Sequence, residues 1–297
     1  MSKLIAKSPI DFVAISSVAL GFTPVESVVM HTFGPTPFHG RVDLPDTDED
    51  YQSVVDALLD PCLQHDVTQV VFVLHTERTD DAMAQFAALR DGYANSNIPI
   101  VEFLVVTDGQ WQSLLTHTSG DADISNHPFL AQTVLDGRVT QVSRDDLRTI
   151  IAERDTLPYL PTPIDATGDL TGLQVEITDM LATGAVLTDT QLGTMLAAQN
   201  VVEVWDTMLA FVARHRSGDT GPRMAAMLGD VAARAPREHR ARALAMHAYA
   251  TYMNGNGAAA WISVDAAKEM DPDNQLAKIV AAFLTRAVPP AQASNIF

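Results

Sequence analysis

The chain has 297 residues, a formal net charge of −18 and 47 % apolar residues, with a mean hydropathy of +0.07. That length favours two domains with sizeable cores, and no run of roughly 18 uncharged apolar residues is present to cross a membrane. A field of this sign repels phosphate backbones, so nucleic acid is an unfavourable partner.

The first residues, MSKLIAKSPIDF, contain two lysines but no long apolar stretch before Asp11, so no secretory leader is expected. The single cysteine, Cys62, excludes an internal disulfide and agrees with a reducing compartment, so the expected location is the cytoplasm. Its setting, SVVDALLDPCLQ, reads as a helical core position rather than a nucleophile.

An apolar segment reaches a corner at Leu20-Gly21-Phe22, and Pro24 then directs the chain into a strand. The corner admits two readings, an elbow that starts the fold or a lid over a site. Gly21 can take a conformation closed to other residues, and Phe22 can then plug a core. Beyond it, SVVMHTF (27–33) and PFHGRVDL (37–44) flank Gly34-Pro35-Thr36 and read as a hairpin that sets His31 against His39. Tyr51, Val54, Val55, Leu58, Leu59 and Cys62 follow at helical spacing, with Asp46, Asp48, Glu49 and Asp50 at the helix start and Pro61 expected to kink or divide it. TQVVFVLH (68–75) and IPIVEFLVVT (98–107) are continuous apolar runs of the kind buried on both faces of a sheet, separated by an amphipathic helix over 79–96. GQWQSLL (109–115) reads as an edge strand, and 127–155 as a helix, a turn at Asp136-Gly137 and a helix capped by Ser143.

The order hairpin, helix, strand, helix, strand predicts an α/β domain over 1–155 with a mixed, partly parallel sheet. Residues 156–171 hold three prolines and read as a linker. Over 172–297 every segment reads as helix, at 173–184, 189–199, 200–216, 220–234, 237–254, 256–270 and 273–287. Within it Gly255, Ala260, Ala267 and Pro272 follow the spacing of half a tetratricopeptide repeat, without a second clean copy, so an ordinary helical hairpin with small contact residues is the other reading. From 214 to 242 seven arginines stand against three acids, which reads as a solvated face paired with the acidic first domain or as a docking surface.

The stretches LGFTPVESVVM, GRVDLP, VTDGQW, SNHPF, DGRVTQVSRDDL and YMNGNGAAAWISVDAAKEMDPDN, in that order, resemble the actinobacterial and actinophage family known as domain of unknown function 4192. Gly21, Phe22, Pro24 and Ser27 carry its corner, Arg41, Asp43 and Pro45 its strand end, and Asp108, Gly109 and Trp111 its third element. Gln110, Tyr252 and Asn256 depart from the family's arginine, tryptophan and acidic residue, and THTSGDADIS (116–125) lacks the cysteines common there. The resemblance implies a fold and a bacterial or phage setting, not a reaction.

In open α/β sheets, ligands sit beyond the carboxyl ends of the strands. Those ends here carry Asp43, then His75, Thr76 and Glu77, then Asp108 with Trp111 nearby. If the strands are parallel, Asp43, Glu77 and Asp108 share a rim that suits Mg²⁺, with His75 as a base; otherwise these residues start turns and cap helices. No phosphate-loop, dinucleotide, nucleophile-elbow or zinc-protease motif is present, and no other cofactor or metal is implied. The expected function is therefore a non-enzymatic binding or assembly protein, with a protein partner or a second copy on the helical half. The alternative is an enzyme or sensor for a small phosphorylated or nucleotide-like ligand at the rim.

Overall fold

The structure, a computed structural model, describes residues 5–46, 50–135, 140–157, 164 and 169–293. Asp48 and Glu49, the expected turn at Asp136-Gly137 and most of the expected linker over 156–171 lie outside the described residues. The chain forms two compact units, Met1–Ser143 and Arg144–Phe297.

In the first unit α1 (Pro9–Leu20) begins with Pro9 and is closed by Asp11, whose carboxylate accepts from the Ser8 amide at 2.8 Å and the Ser8 hydroxyl at 2.9 Å. It ends at Gly21, which is left-handed (φ 78°) and donates its N–H to Ser17 O at 2.9 Å. Then come β1 (Ser27–Phe33), β2 (His39–Asp43), α2 (Tyr51–Gln64), β3 (Gln69–His75), α3 (Thr79–Tyr93), β4 (Ile100–Thr107), β5 (Gln110–Ser113), β6 (Ser119–Asp121) and α4 (Pro128–Leu135). Helix α2 is not divided at Pro61. The proline falls in its last turn, where one missing donor leaves the remaining residues helical.

The six strands are ordered β2-β1-β3-β4-β5-β6, so the sheet is mixed as the sequence predicts. Strand β1 is antiparallel to both β2 and β3, and β3 is parallel to β4. The carboxyl ends of β2, β3 and β4 therefore point to one rim, although only one neighbouring pair is parallel. The 109–115 segment is an inner strand: the short Ser119–Asp121 strand, hidden in a polar stretch, pairs outside it and takes the edge.

One sheet face carries Val28, Met30, Phe72, Leu74, Phe103 and Val105 under α2 and α3, forming the main core with Cys62, Leu89 and Tyr93. The two helices approach so closely that a Cβ on Gly92 would clash with Val55 Cγ1. The Cys62 thiol is buried here, and that burial raises its pKa to about 11, which removes it from nucleophilic chemistry. The opposite face carries Ser27, Val29 and His31 of β1 beside Val71, Val73 and His75 of β3, with α1 packed over it against β3 and β5.

The second unit contains α5 (Arg144–Arg148) and a 3₁₀ turn (Thr149–Ile151), then α6 (Leu170–Thr183), α7 (Asp189–Ala198), α8 (Val202–Arg214), α9 (Thr220–Arg234), α10 (Arg237–Met253), α11 (Gly257–Met270), α12 (Gln275–Thr285) and α13 (Pro290–Ala293). Residues 144–151, expected with the sheet, pack on α9 and α11 of the helical unit. Every residue of α10 from Ala243 to Met253 is buried, because α8, α9, α11, α12 and α13 surround it; a helix covered all round needs no polar face. The α10–α11 hairpin turns at left-handed Gly255 (φ 80°), and Ala260 and Ala267 are fully buried in it. No described helix is long and apolar enough to cross a membrane.

The arginine-rich stretch does more than pair charges, although Arg234 does pair with Asp189 and Asp230 of its own unit. Arg216 donates to Ala213 O at 2.9 Å, Arg223 to Asp219 O at 3.1 Å and Arg234 to Leu187 O at 2.7 Å. Arg240 donates to Ala232 O, Ala233 O and Ile151 O at 2.9, 3.0 and 2.7 Å, and Arg242 to Gln199 O at 2.6 Å. These five guanidinium groups satisfy main-chain carbonyls, mostly at helix ends, within their own unit.

Candidate functional site

The rim at the carboxyl ends of β2, β3 and β4 is built around Ser27, the first residue of β1. Its register partners are Asp43 on one side and His75 on the other, and His75 in turn pairs with Val106 and Val106 with Trp111. Asp43, Ser27, His75 and Trp111 therefore lie in one row across the sheet. Trp111 ends that row against β6, where Gly120 leaves room for its indole: a Cβ there would be 2.9 Å from Trp111 Cζ2.

The expected acids take separate partners. Asp43 pairs with Arg41 Nη2 at 2.5 Å. Glu77 accepts from Thr107 Oγ1 at 3.0 Å and from the Asp108 amide at 3.2 Å. Asp108 and Gly109 both have positive φ (48° and 70°) and make the two-residue turn between β4 and β5, the geometry that Asp-Gly favours. The structure thus joins Glu77 to the Asp108 backbone and leaves Asp43 two strands away on β2. Among the described residues no set of three His, Cys, Asp or Glu side chains is placed to hold a metal ion.

Thr76 serves a residue that the strand-end pattern does not single out. Its hydroxyl donates to Glu26 Oε2 at 2.9 Å, and Glu26 also accepts from the Glu77 amide at 3.1 Å and from Arg78 Nε at 2.8 Å. Arg78 Nη1 continues to Pro45 O at 3.1 Å. Burial pushes the Glu26 carboxyl upward, but the bonds from Arg78, Glu77 and Thr76 outweigh it and hold the group below its ordinary value. Glu26 itself has φ 39°, so this knot fixes a strained entry to β1 and ties three strand ends together. A glutamate one residue before a strand carries no periodic or motif signal, which is why only the folded chain shows its role.

The corner is an elbow in its geometry. Phe22 is 1 % exposed and Pro24 is buried, and Phe22 bridges Gln141 through the Gly21 carbonyl and the Thr23 amide. The Arg41 guanidinium sits over the Phe22 ring at 5.6 Å.

Several polar side-chain atoms of this unit are buried without a hydrogen bond, among them Ser27 Oγ, Arg41 Nε and His75 Nε2 on the sheet and Ser17 Oγ on α1. Burial, with the nearby charge of Arg41, lowers the His75 pKa to about 4, so the imidazole is neutral at pH 7. Four residues along β1, His31 forms a second polar chain, with contacts of 2.9 Å to Ser16 Oγ and 2.9 Å to His39 Nδ1. Ser16 already donates to Phe12 O at 2.9 Å, and a carbonyl can only accept. His31 Nε2–H therefore donates to Ser16, and its Nδ1 accepts from His39. Burial, followed by His39 and His75, holds His31 well below its ordinary pKa.

The helical unit has an open cleft of about 850 Å³ bounded by Asn200, Trp205, the first turns of α10 with Arg237 and Arg242, and the α11–α12 junction with Glu269, Asp271 and Asp273. Arg242 lies over the Trp205 ring at 5.4 Å. The sequence reading reaches this cleft only through the 214–242 stretch offered as a docking surface, since the lining comes from three separated segments.

The family model described as "Domain of unknown function (DUF4192)" matches residues 9–160 and 164–291. No curated protein and no solved structure matches the chain.

Proposed function

The chain belongs to the domain of unknown function 4192 family, and from its surfaces we propose that it is a non-enzymatic binding and assembly protein whose helical unit carries the partner surface. The observation that carries this reading is the cleft of about 850 Å³ among α8, α10, α11 and α12, lined by half-buried Trp205, by exposed Arg237 and Arg242 and by Glu269, Asp271 and Asp273. Such a pairing of an aromatic, a guanidinium and acids suits a polypeptide segment bearing both charge types. The tetratricopeptide-like character of the α10–α11 hairpin supports the same use, because stacked helical hairpins commonly present concave protein-binding surfaces. The reading places the activity in the cytoplasm of a bacterial host, on a host or phage protein.

The test is affinity copurification and sedimentation from host cytosol, with wild type beside a Trp205→Ala, Arg237→Glu variant. A reproducible partner or a dimer that the variant loses is the expected result; a monomer with no partner overturns the reading.

A second reading is favoured by a specific observation. Recognition of a small phosphorylated or nucleotide-like ligand at the carboxyl rim of the sheet is supported by Ser27 Oγ, Arg41 Nε and His75 Nε2, buried there without partners. Asp43, His75, Thr76, Glu77, Asp108 and Trp111 would frame such a site. Titration of nucleotides, phosphate and Mg²⁺ with thermal unfolding tests it, and no shift with millimolar probe overturns it.

A further inference from the structure

We propose that the Arg41 guanidinium, with Ser27 and His75, is a receptor for the oxyanion head group of a small carboxylate- or phosphate-bearing ligand, and that Asp43 occupies half of it in the free protein. The proposal rests on the rim reading and names its ligand chemistry and its anchor.

A guanidinium offers a side-on edge of two parallel donors, Nε–H and Nη2–H, that matches two oxygens of a carboxylate or phosphate. In Arg41 that edge is half filled. Nη2 holds Asp43 Oδ1 at 2.5 Å, whereas Nε is buried and donates to nothing. A buried donor without an acceptor carries a desolvation cost that an incoming oxygen would relieve. The ring of Phe22 at 5.6 Å fixes the plane of the guanidinium and keeps water off one side.

Two further groups lie on the same sheet face at this rim, and the Arg41 charge acts on one of them, His75. Ser27, 0 % exposed, is the register partner of Asp43, and His75, 6 % exposed, is the register partner of Ser27. Directly opposed residues have Cβ atoms about 5 Å apart, so the Ser27 and His75 side chains start side by side, with Arg41 diagonal to Ser27 on the neighbouring strand. Ser27 Oγ–H can donate to a ligand oxygen. His75 is neutral, so its Nε2 either donates as the Nε2–H tautomer or accepts a ligand O–H, without adding charge.

The geometry also sets the direction of entry. Strand β2 is an edge of the sheet, and the Asp43 side chain is 66 % exposed beside an Arg41 side chain that is only 13 % exposed. A ligand therefore enters past Asp43, displaces or shares its place on Nη2, and buries its head group while the rest of the molecule stays outside. Asp43 acts as an internal competitor, so removing its charge should strengthen binding.

The experiment measures thermal unfolding and titration calorimetry on the full chain with inorganic phosphate, ADP and succinate. Potassium chloride at matched ionic strength and glycerol serve as controls. At least one oxyanion probe should bind wild type, Asp43→Asn should bind it about tenfold more tightly, and Arg41→Gln should lose it. Phosphate and ADP against succinate separate a phosphate source from a carboxylate source. If Arg41→Gln fails to fold, Asp43→Asn, which keeps the guanidinium, still decides. Binding by wild type that Asp43→Asn leaves unchanged or weakens overturns the Arg41 receptor while the rim reading survives. No binding of any probe by wild type or Asp43→Asn, with only ordered water to fill the site, overturns both.

Discussion

The two units dispose of their polar side chains in opposite ways. In the helical unit, Arg216, Arg223, Arg234, Arg240 and Arg242 all end on main-chain carbonyls, and His247 on α10 meets Ser263 Oγ of α11 at 2.8 Å. Among the described residues there, the Gln199 amide is buried with both ends unbonded. In the sheet unit, Ser17 Oγ, Ser27 Oγ, Arg41 Nε, His75 Nε2 and Gln85 Oε1 are buried without a hydrogen bond. Ser27 and His75 are register partners on β1 and β3, and Arg41 on β2 lies diagonal to Ser27, opposite Val29. Polar groups that close helix ends stabilise a fold; polar groups left open at one sheet rim are what a ligand site looks like before it is filled. The two proposed readings rest on this contrast: the rim reading on the unbonded polar atoms of the sheet unit, the partner reading on the cleft of the helical unit.

The largest effect expected is at the corner that joins α1 to that rim. Phe22 is buried to 1 % exposure and carries Arg41 on its ring, so Phe22→Ala should destabilise the sheet unit by about 3–5 kcal/mol. Chemical unfolding followed by Trp111 fluorescence, with the helical-unit tryptophans replaced by phenylalanine, measures it. A lid would instead lose ligand and keep its stability, and that outcome would break the elbow assignment.

Acid should reach both units. Burial holds His75 and His247 at a pKa of about 4, below the ordinary value of about 6.5 in the unfolded chain. Between those values the unfolded state binds protons that the folded state refuses, so the stability present above pH 6.5 is lost as pH falls toward 4, by at most about 3 kcal/mol for each histidine. His247→Gln should flatten the pH dependence of the helical unit and leave that of the sheet unit alone, whereas His75→Gln should reduce only the sheet unit's, where His31 and His39 are lowered too. A single common response to either substitution would show that the two units do not unfold separately.

Packing between helices gives a smaller and more pointed test. Alanine is favoured over glycine inside a helix by about 1 kcal/mol, so Gly229→Ala in α9 ought to stabilise on propensity alone. A Cβ there, however, would lie 2.9 Å from Ile150 Cγ2 and 3.2 Å from His247 Nε2. Overpacking of this kind costs about 1–3 kcal/mol, so the substitution should lower the unfolding midpoint of the helical unit. A raised midpoint would mean that the contact around His247 relaxes freely.

Much of this architecture is written locally. The buried strands Gln69–His75 and Ile100–Thr107 show as unbroken apolar runs, and the helical half shows through caps such as Thr188, whose side chain accepts from the Gln191 amide. Relations between distant segments are not written that way. Nothing in SGD at 119–121 marks an edge strand, because its pairing with Gln110–Gln112 is decided by the sheet already present. The strand-end acids are legible as polar ends. Their partners are not, since Glu77 meets the Asp108 amide across 31 residues and Arg78 meets Glu26 across 52. The family corner is visible as a motif, but the reason Phe22 must be aromatic lies in Arg41 on another strand.

The smallest effect separates a turn from a site at the β4–β5 junction. Gly109 has φ 70°, and a Cβ built on it meets nothing within 4 Å. Gly109→Ala therefore meets no clash and costs only the conformational strain of a left-handed alanine, about 1 kcal/mol. If the Asp-Gly pair serves only as the hairpin turn, that stability change should be the whole effect, and any ligand bound at the rim should retain its affinity in calorimetry. If Asp108 touches ligand, affinity should fall while the unfolding midpoint moves by the same small amount, because a shifted turn moves the carboxylate without removing a packed side chain.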